Sequence, residues 1–309
     1  MEMPIIKNRM PFESFMEEID LFLQAERVPI HAREIRALSE ASKRLDMKLP
    51  MAPINTGPIQ GLYHGASLSA HIIEWYNQRY GDRLKIDFSI GYSVLLIRGD
   101  PWLIRFPTIY GRVTAVCEPD LNKKLPDFVS NRAGEPEQKA YLNVLKCIDN
   151  LPIGLAKDLS RDELVSILKY YLFGHDLFNL LNSYYSKENL AIAALSDLKS
   201  SAKYCISNSS EYGLSRWSSL QAAEKLIKMY IQQNGQQFPY THELSKLLKI
   251  AYNLNLPQID EGIISSIQCP ASVRYDSHSA DINEVIVAHQ NTMSVGSIII
   301  KFMVEQKKR

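Results

Sequence analysis

The sequence has no excess of either charge: 35 lysines and arginines stand against 34 aspartates and glutamates, for a net charge of +1. No global field therefore selects nucleic acid or an anionic membrane surface. Cysteine is scarce. Cys117, Cys147, Cys205 and Cys269 lie far apart with no CxxC pair, which argues against a zinc site and against a disulfide framework. No apolar run approaches the length of a membrane span. The first ten residues, with Lys7 and Arg9, lack the apolar core of a signal peptide. The expectation is a cytoplasmic protein that makes no use of a membrane. A P-loop, a GxSxG elbow and an HExxH pair are all missing, and Gly57, Gly61 and Gly65 follow no strand that could make them a dinucleotide fingerprint. No cofactor is implied.

What is present is ordinary globular material. The chain has 309 residues, 46% of them apolar, enough for two domains with a substantial core. Phe12, Phe15, Met16, Ile19, Phe22 and Leu23 recur at helical spacing over 12–24. Pro29 separates this helix from a second one over 32–45, and a loop punctuated by Pro50, Pro53, Gly57, Pro58 and Gly61 leads to a third over 67–79. The period then changes. Ile86, Phe88, Ile90 and Tyr92 alternate, Val94–Ile97 is continuously apolar, and Gly99-Asp100-Pro101 makes a turn. Residues 102–106 and 112–116 read as further strands, so the simplest arrangement is a three-stranded antiparallel meander covered by the preceding helices.

From 122 to 134 the chain is polar and reads as a connector, and Pro136 suits the first turn of a helix over 135–150. Beyond Pro152 and Gly154 everything is helical. Ser160 with Glu163 forms a capping box ahead of the stripe Leu164, Ile167, Leu168, Tyr171, Leu172, His175 and Phe178. Four more stripes follow: Ala191 to Ile206, Leu220 to Ile231, Leu244 to Leu254, and Ile282 to Ile300. Consecutive helices with short turns imply an antiparallel bundle. The class is α+β, organised as an α+β part over 1–134, connecting helices over 135–187 and a bundle over 188–309.

The bundle carries a resemblance. Gln221-Ala222-Ala223-Glu224-Lys225 and Lys228 lie on one helix, then come Gly235, Phe238-Pro239, Thr241-His242-Glu243-Leu244 and Leu247-Leu248, then Ile259-Asp260, Ala271 and Arg274-Tyr275-Asp276. In this order and spacing, residues about 188–305 resemble the HEPN domain, a helical bundle found in many prokaryotic defence, toxin and nucleotide-associated proteins. Thr241 reads as the N-cap of a helix starting at His242. Arg274-Tyr275 is placed to return from its loop and close the bundle through carboxylates or carbonyls.

Ribonuclease members of that family carry Arg, four to six residues, then His, with the His as acid or base and the Arg against the phosphorane charge. None of the seven histidines has an Arg at that distance; Arg274 and His278 are separated by three residues, as are Arg27 and His31. The paired-carboxylate motif of nucleotidyltransferases is not evident, Asp87 and Asp100 being isolated. The resemblance thus implies a binding module for nucleotide, RNA or a protein partner, with the bundle forming a homodimer and the N-terminal part adding specificity. Lys225, Lys228, His242 and Arg274 are its candidate ligand contacts. The alternative is a metal-independent ribonuclease of a toxin–antitoxin or phage-defence system acting through Arg274 and His278.

Other residues fit blander roles. His175 and His289 fall on apolar stripes as core histidines, and His64 and His71 lack the neighbouring carboxylates or cysteines of a metal site. Arg98, Arg105 and Arg112 with Trp102 and Tyr110 would make either a nucleic-acid-stacking surface or a solvated sheet face.

Overall fold

The computed structural model describes residues 9–51, 57–84, 87–126, 139–207, 211–275 and 281–307. Two compact units form, residues 1–87 and 88–309. The first is built from helices α1 (Arg9–Ala25), α2 (Ile30–Arg44) and α3 (Gly65–Tyr80); α1 and α3 run a few residues longer than the sequence predicts, and α2 starts two residues earlier. Phe12, Phe15, Met16, Ile19 and Leu23 of α1 bury against Ala37, Leu38 and Ala41 of α2 and Leu68, Ile72, Trp75 and Tyr76 of α3.

Within this apolar seam sits one carboxylate. Asp20 is 1% exposed and accepts from the Gln24 amide at 2.7 Å, the Tyr80 hydroxyl at 2.5 Å and the Tyr76 hydroxyl at 3.3 Å. The guanidinium groups of Arg33 and Arg79 each lie 3.6 Å from it. A buried charge is tolerated only when so completely answered. Burial, with the Asp20 charge next, raises the Tyr76 phenol above its ordinary value.

The second unit opens with strands β1 (Ser89–Ile97) and β2 (Asp100–Pro107), paired antiparallel. Their two-residue turn is Arg98-Gly99, both at positive φ (54° and 92°), the backbone that matches strand twist in a tight hairpin. The third strand does not continue a meander. β3 (Val113–Val116) pairs in parallel with β4 (Ala140–Asn143), a separate two-stranded sheet. Where a helix over 135–150 is expected, the described part, 139–150, holds β4 and a single 3₁₀ turn, Val144–Cys147. Asn143 explains the turn: its side chain caps Leu145 N–H at 3.2 Å, and its amide donates to Glu118 O at 2.8 Å.

Helices α4 (Ile153–Asp158), α5 (Arg161–Tyr185), α6 (Asn189–Cys205), α7 (Tyr212–Gln233), α8 (Leu244–Asn253), α9 (Glu261–Ile267) and α10 (Ile282–Lys307) follow, the antiparallel bundle expected. The Ser160–Glu163 capping box starts α5 as predicted. Arg98 from the hairpin turn bonds Glu163 at 3.1 Å, and that bond does most to hold the Glu163 carboxyl down to about 2.

The hairpin is covered by helices of its own unit, those that follow it in the chain. Leu95, Ile97, Ile104 and Phe106 join the main bundle core. On the other side Tyr92, Val94 and Leu103 pack with Ala202, Cys205, Val285 and Ile286. Burial on both faces is why Val94 and Leu95 are apolar in succession instead of alternating; Leu96, next in the run, is exposed. Two glycines allow the close approach. A methyl on Gly91 would lie 2.2 Å from the Phe178 ring, and one on Gly174 would lie 2.5 Å from the Phe106 ring.

A polar chain runs through the same core. His289, fully buried, bonds Ser93 of β1 at 2.8 Å through Nε2 and Ser201 of α6 at 3.0 Å through Nδ1. Ser201 continues to Ser219 at 2.8 Å and Ser215 at 3.1 Å on α7, and Ser93 continues to the Tyr170 hydroxyl of α5 at 2.5 Å. His289 is thus the satisfied core histidine its stripe suggests. His175 is half-buried, and its Nε2 has no hydrogen-bond partner.

Gly174→Ala gains about 1 kcal/mol of helix propensity but overpacks against Phe106 at about 1–3 kcal/mol; thermal unfolding should show a lower midpoint. Burial pushes the His289 imidazole down to about 4 from 6.5. The unfolded chain therefore takes up this proton first as pH falls. Stability contributed by the neutral ring is complete above pH 6.5 and declines toward pH 4, by about 3 kcal/mol over the whole window. Urea unfolding at a series of pH values should show this slope, and His289→Gln should flatten it.

Candidate functional site

The candidate contacts meet on one face of α7. Residues 217, 221, 224 and 228 recur at helical spacing and line the surface facing the 234–243 loop and the 3₁₀ turn Ala271–Tyr275. Glu224 is the centre. Only 5% exposed, it accepts from the Lys228 ammonium at 2.5 Å, from His242 Nδ1 at 2.7 Å and from the Gln221 amide at 3.1 Å. Gln221 nitrogen also lies 3.2 Å from His242 Nδ1. Both are donors once Nδ1 carries the proton that Glu224 accepts, so this approach is proximity without a bond. With Nδ1 committed, the neutral ring of His242 turns an acceptor Nε2 outward; its side chain is 59% exposed.

The loop reaches this face because α7 ends at Asn234 and Gly235 takes a positive φ of 75°, which glycine adopts without strain. The α8 start differs from expectation. The helix begins at Leu244 with Glu243 as N-cap residue; Thr241 instead bonds Glu243 N–H at 3.1 Å, a local turn, leaving His242 in the loop. Gln268 pins it there, accepting from Leu244 N–H at 3.0 Å and donating to His242 O at 3.3 Å.

Aromatic rings frame the charges. The Arg274 guanidinium lies over Trp217 at 4.6 Å and over Tyr275 at 5.2 Å. His242 meets the same indole edge-on at 5.3 Å. Lys228 sits over Phe238 at 5.2 Å and Tyr240 at 5.9 Å. Tyr240 is fully exposed and Tyr275 is 83% exposed.

Of the four candidate contacts, then, Lys228, His242 and Arg274 gather around Trp217 and Glu224. Lys225 is turned to α6, where it pairs with Asp197; burial raises the Asp197 carboxyl while Lys225 lowers it. Lys228 is nearly buried and its charge is answered by Glu224, which makes it a support of the site. Arg274 closes the bundle by stacking; its one described hydrogen bond is local, to Ala271 O at 3.1 Å. The tie to carbonyls and a carboxylate belongs to Arg216, which donates to Ser266 O and Gln268 O and pairs with Glu284 at 3.3 Å. His278, the alternative partner of Arg274, lies outside the described residues. Glu224, Trp217 and Tyr240 were passed over by sequence reasoning. A carboxylate four residues before Lys228 on the same helix face was the available signal.

Of the strand arginines, Arg98 is tied to Glu163 and Arg105 pairs with Asp149 at 2.7 Å, while Arg112 and Tyr110 are exposed and the Trp102 indole nitrogen is buried without a hydrogen-bond partner. Among the described residues, no group of three or more His, Cys, Asp or Glu side chains converges as a metal site. No described helix is long and apolar enough to cross a membrane.

The family model described as the HEPN domain matches residues 187–285, from the link between α5 and α6 to the first turn of α10, the whole site included. The chain carries a HEPN domain in its C-terminal part, and no family model covers the N-terminal part. No curated protein and no solved structure matched the chain.

Removing Glu224 would leave the Lys228 ammonium, 11% exposed, without a counter-charge. Glu224→Ala should cost about 3 kcal/mol in chemical denaturation, the usual scale for breaking a buried pair. Adding Lys228→Met should restore much of that loss.

Proposed function

We propose that the HEPN domain is a non-catalytic binding module for a nucleotide or single-stranded RNA, seated on the α7 face and acting as a homodimer through the bundle. The observation that carries this reading is the Arg274 guanidinium stacked on Trp217, with His242 on the same ring and two exposed tyrosines beside it. Planar aromatic and guanidinium surfaces receive bases regardless of sequence, and one exposed cation suffices to hold a neighbouring phosphate. HEPN domains often bind RNA and dimerise, which supports both parts. Glu224 is the positioning residue: it fixes the His242 tautomer and holds Lys228 under the aromatic loop. The non-catalytic reading rests on the sequence, where no histidine follows an arginine at the ribonuclease spacing.

Fluorescence anisotropy with a labelled oligonucleotide tests this. Trp217→Ala and Tyr240→Ala should each weaken binding by roughly five- to a hundredfold, the value of one stacked base. Arg274→Ala should lower the slope of log affinity against log salt by about 0.7, one phosphate contact. Absence of binding by the native chain would reject the proposal. RNA cleavage abolished by both Arg274→Ala and His278→Ala, with folding intact, would establish the ribonuclease reading in its place. Sedimentation at varied concentration decides the dimer.

A further inference from the structure

The N-terminal unit contains a cavity of about 490 Å³ whose chemistry is unlike that of the HEPN site. Its walls come from α1, α3 and the segment just before α3. Phe12, Tyr63, His71 and Trp75 supply four rings, and Glu13 and Glu74 supply two carboxylates; among the described residues no lysine or arginine lines it. The rings are organised. Tyr63 stacks on Phe12 with centroids 5.1 Å apart and meets His71 at 4.6 Å.

The hydrogen bonds inside the wall leave it rich in acceptors. His71 Nε2 donates to Ile59 O at 2.9 Å, so the neutral ring offers Nδ1 as an acceptor. The Trp75 indole N–H, which would otherwise donate into the space, is bonded to Glu13 at 2.7 Å. Glu74 takes one bond from Gln78 at 2.6 Å and remains exposed. Arg79 lies over Trp75 at 4.9 Å without lining the cavity, and its charge is answered by buried Asp20 at 3.6 Å. The exposed Glu74 carboxylate and the acceptor-rich wall repel phosphates and carboxylates. Ring faces carry the negative end of the aromatic quadrupole and draw positive charge. The volume lies within the range of small-molecule sites and far above that of a single metal ion.

We propose that this cavity binds a small organic ammonium ion, its charged head against Tyr63 and Glu74 and its carbon substituents against Phe12 and His71. The site is independent of the proposed RNA surface, and the two can fail separately.

Titration of the full chain with choline, followed by calorimetry, tests the proposal. A Trp102→Phe/Trp217→Phe background, which leaves Trp75 the sole tryptophan of the three, gives a fluorescence readout at the cavity wall. Choline should bind saturably, and its uncharged carbon isostere dimethylbutanol should bind at least about tenfold more weakly, one desolvated cation–π contact being of that order. Glu74→Gln, a change at an exposed position, should weaken choline binding several-fold and leave the thermal midpoint unchanged; Tyr63→Leu should weaken it further. Equal affinity for choline and dimethylbutanol would reduce the site to an apolar pocket and overturn the proposal. So would the absence of a calorimetric signal for choline with the unaltered chain.

Discussion

The imidazole of His289 is the contact on which the C-terminal unit depends. One ring nitrogen reaches the hairpin at Ser93 and the other reaches α6 at Ser201, whose hydroxyl continues to two serines of α7. Four elements are therefore indexed by a single side chain in a largely apolar core. Apolar packing alone tolerates sliding, because Leu against Ile is nearly as good one turn away. A buried donor or acceptor without its partner costs about 1–3 kcal/mol, so the network penalises any other register of α10 against α6 and β1. The α7 face displaying Trp217 and Glu224 is set by the same bonds, since Ser215 and Ser219 belong to that helix.

The N-terminal unit solves the same problem with a charge. Asp20 draws groups from all three helices into one place, and its two arginines and two tyrosines leave none of its oxygens idle. Both units thus specify their packing by a polar group inside a seam of apolar stripes. The neutral imidazole loses its advantage as pH falls from 6.5 toward 4.

Local features were legible in the sequence wherever one element decided its own fate. The α1 stripe from Phe12 to Leu23, the Ser160–Glu163 capping box and the order of α6, α7, α8 and α10 follow from spacing and cap chemistry, and the HEPN resemblance rested on short pieces along this part of the chain. Non-local pairings were not legible. Val113–Val116 finds its partner more than twenty residues later in a parallel ladder, and no periodicity announces that. The turn set by Asn143 replaced an expected helix because a side-chain amide bonded Glu118 across the connector. At the site, Lys228, His242 and Arg274 were identified from the resemblance, but Glu224 stood only as one residue of the helix that carries it. Its role appears only when the loop brings His242 back over α7, and the same return gives Trp217 and Tyr240 their meaning.

The four cysteines acquire a different significance once their surroundings are known. Cys147, Cys205 and Cys269 are buried, and burial pushes the thiols up, to about 11 for Cys147 and Cys205. Half-buried Cys117 is raised to about 11 as well. Alkylating reagents attack the thiolate, which these sulfurs scarcely form while covered. Each buried thiol is therefore chemically silent until its own neighbourhood parts, and they are distributed over the turn after β4, the end of α6 and the turn after α9. The native chain carries reporters in three regions of its C-terminal unit, whose modification rates record how often each one opens.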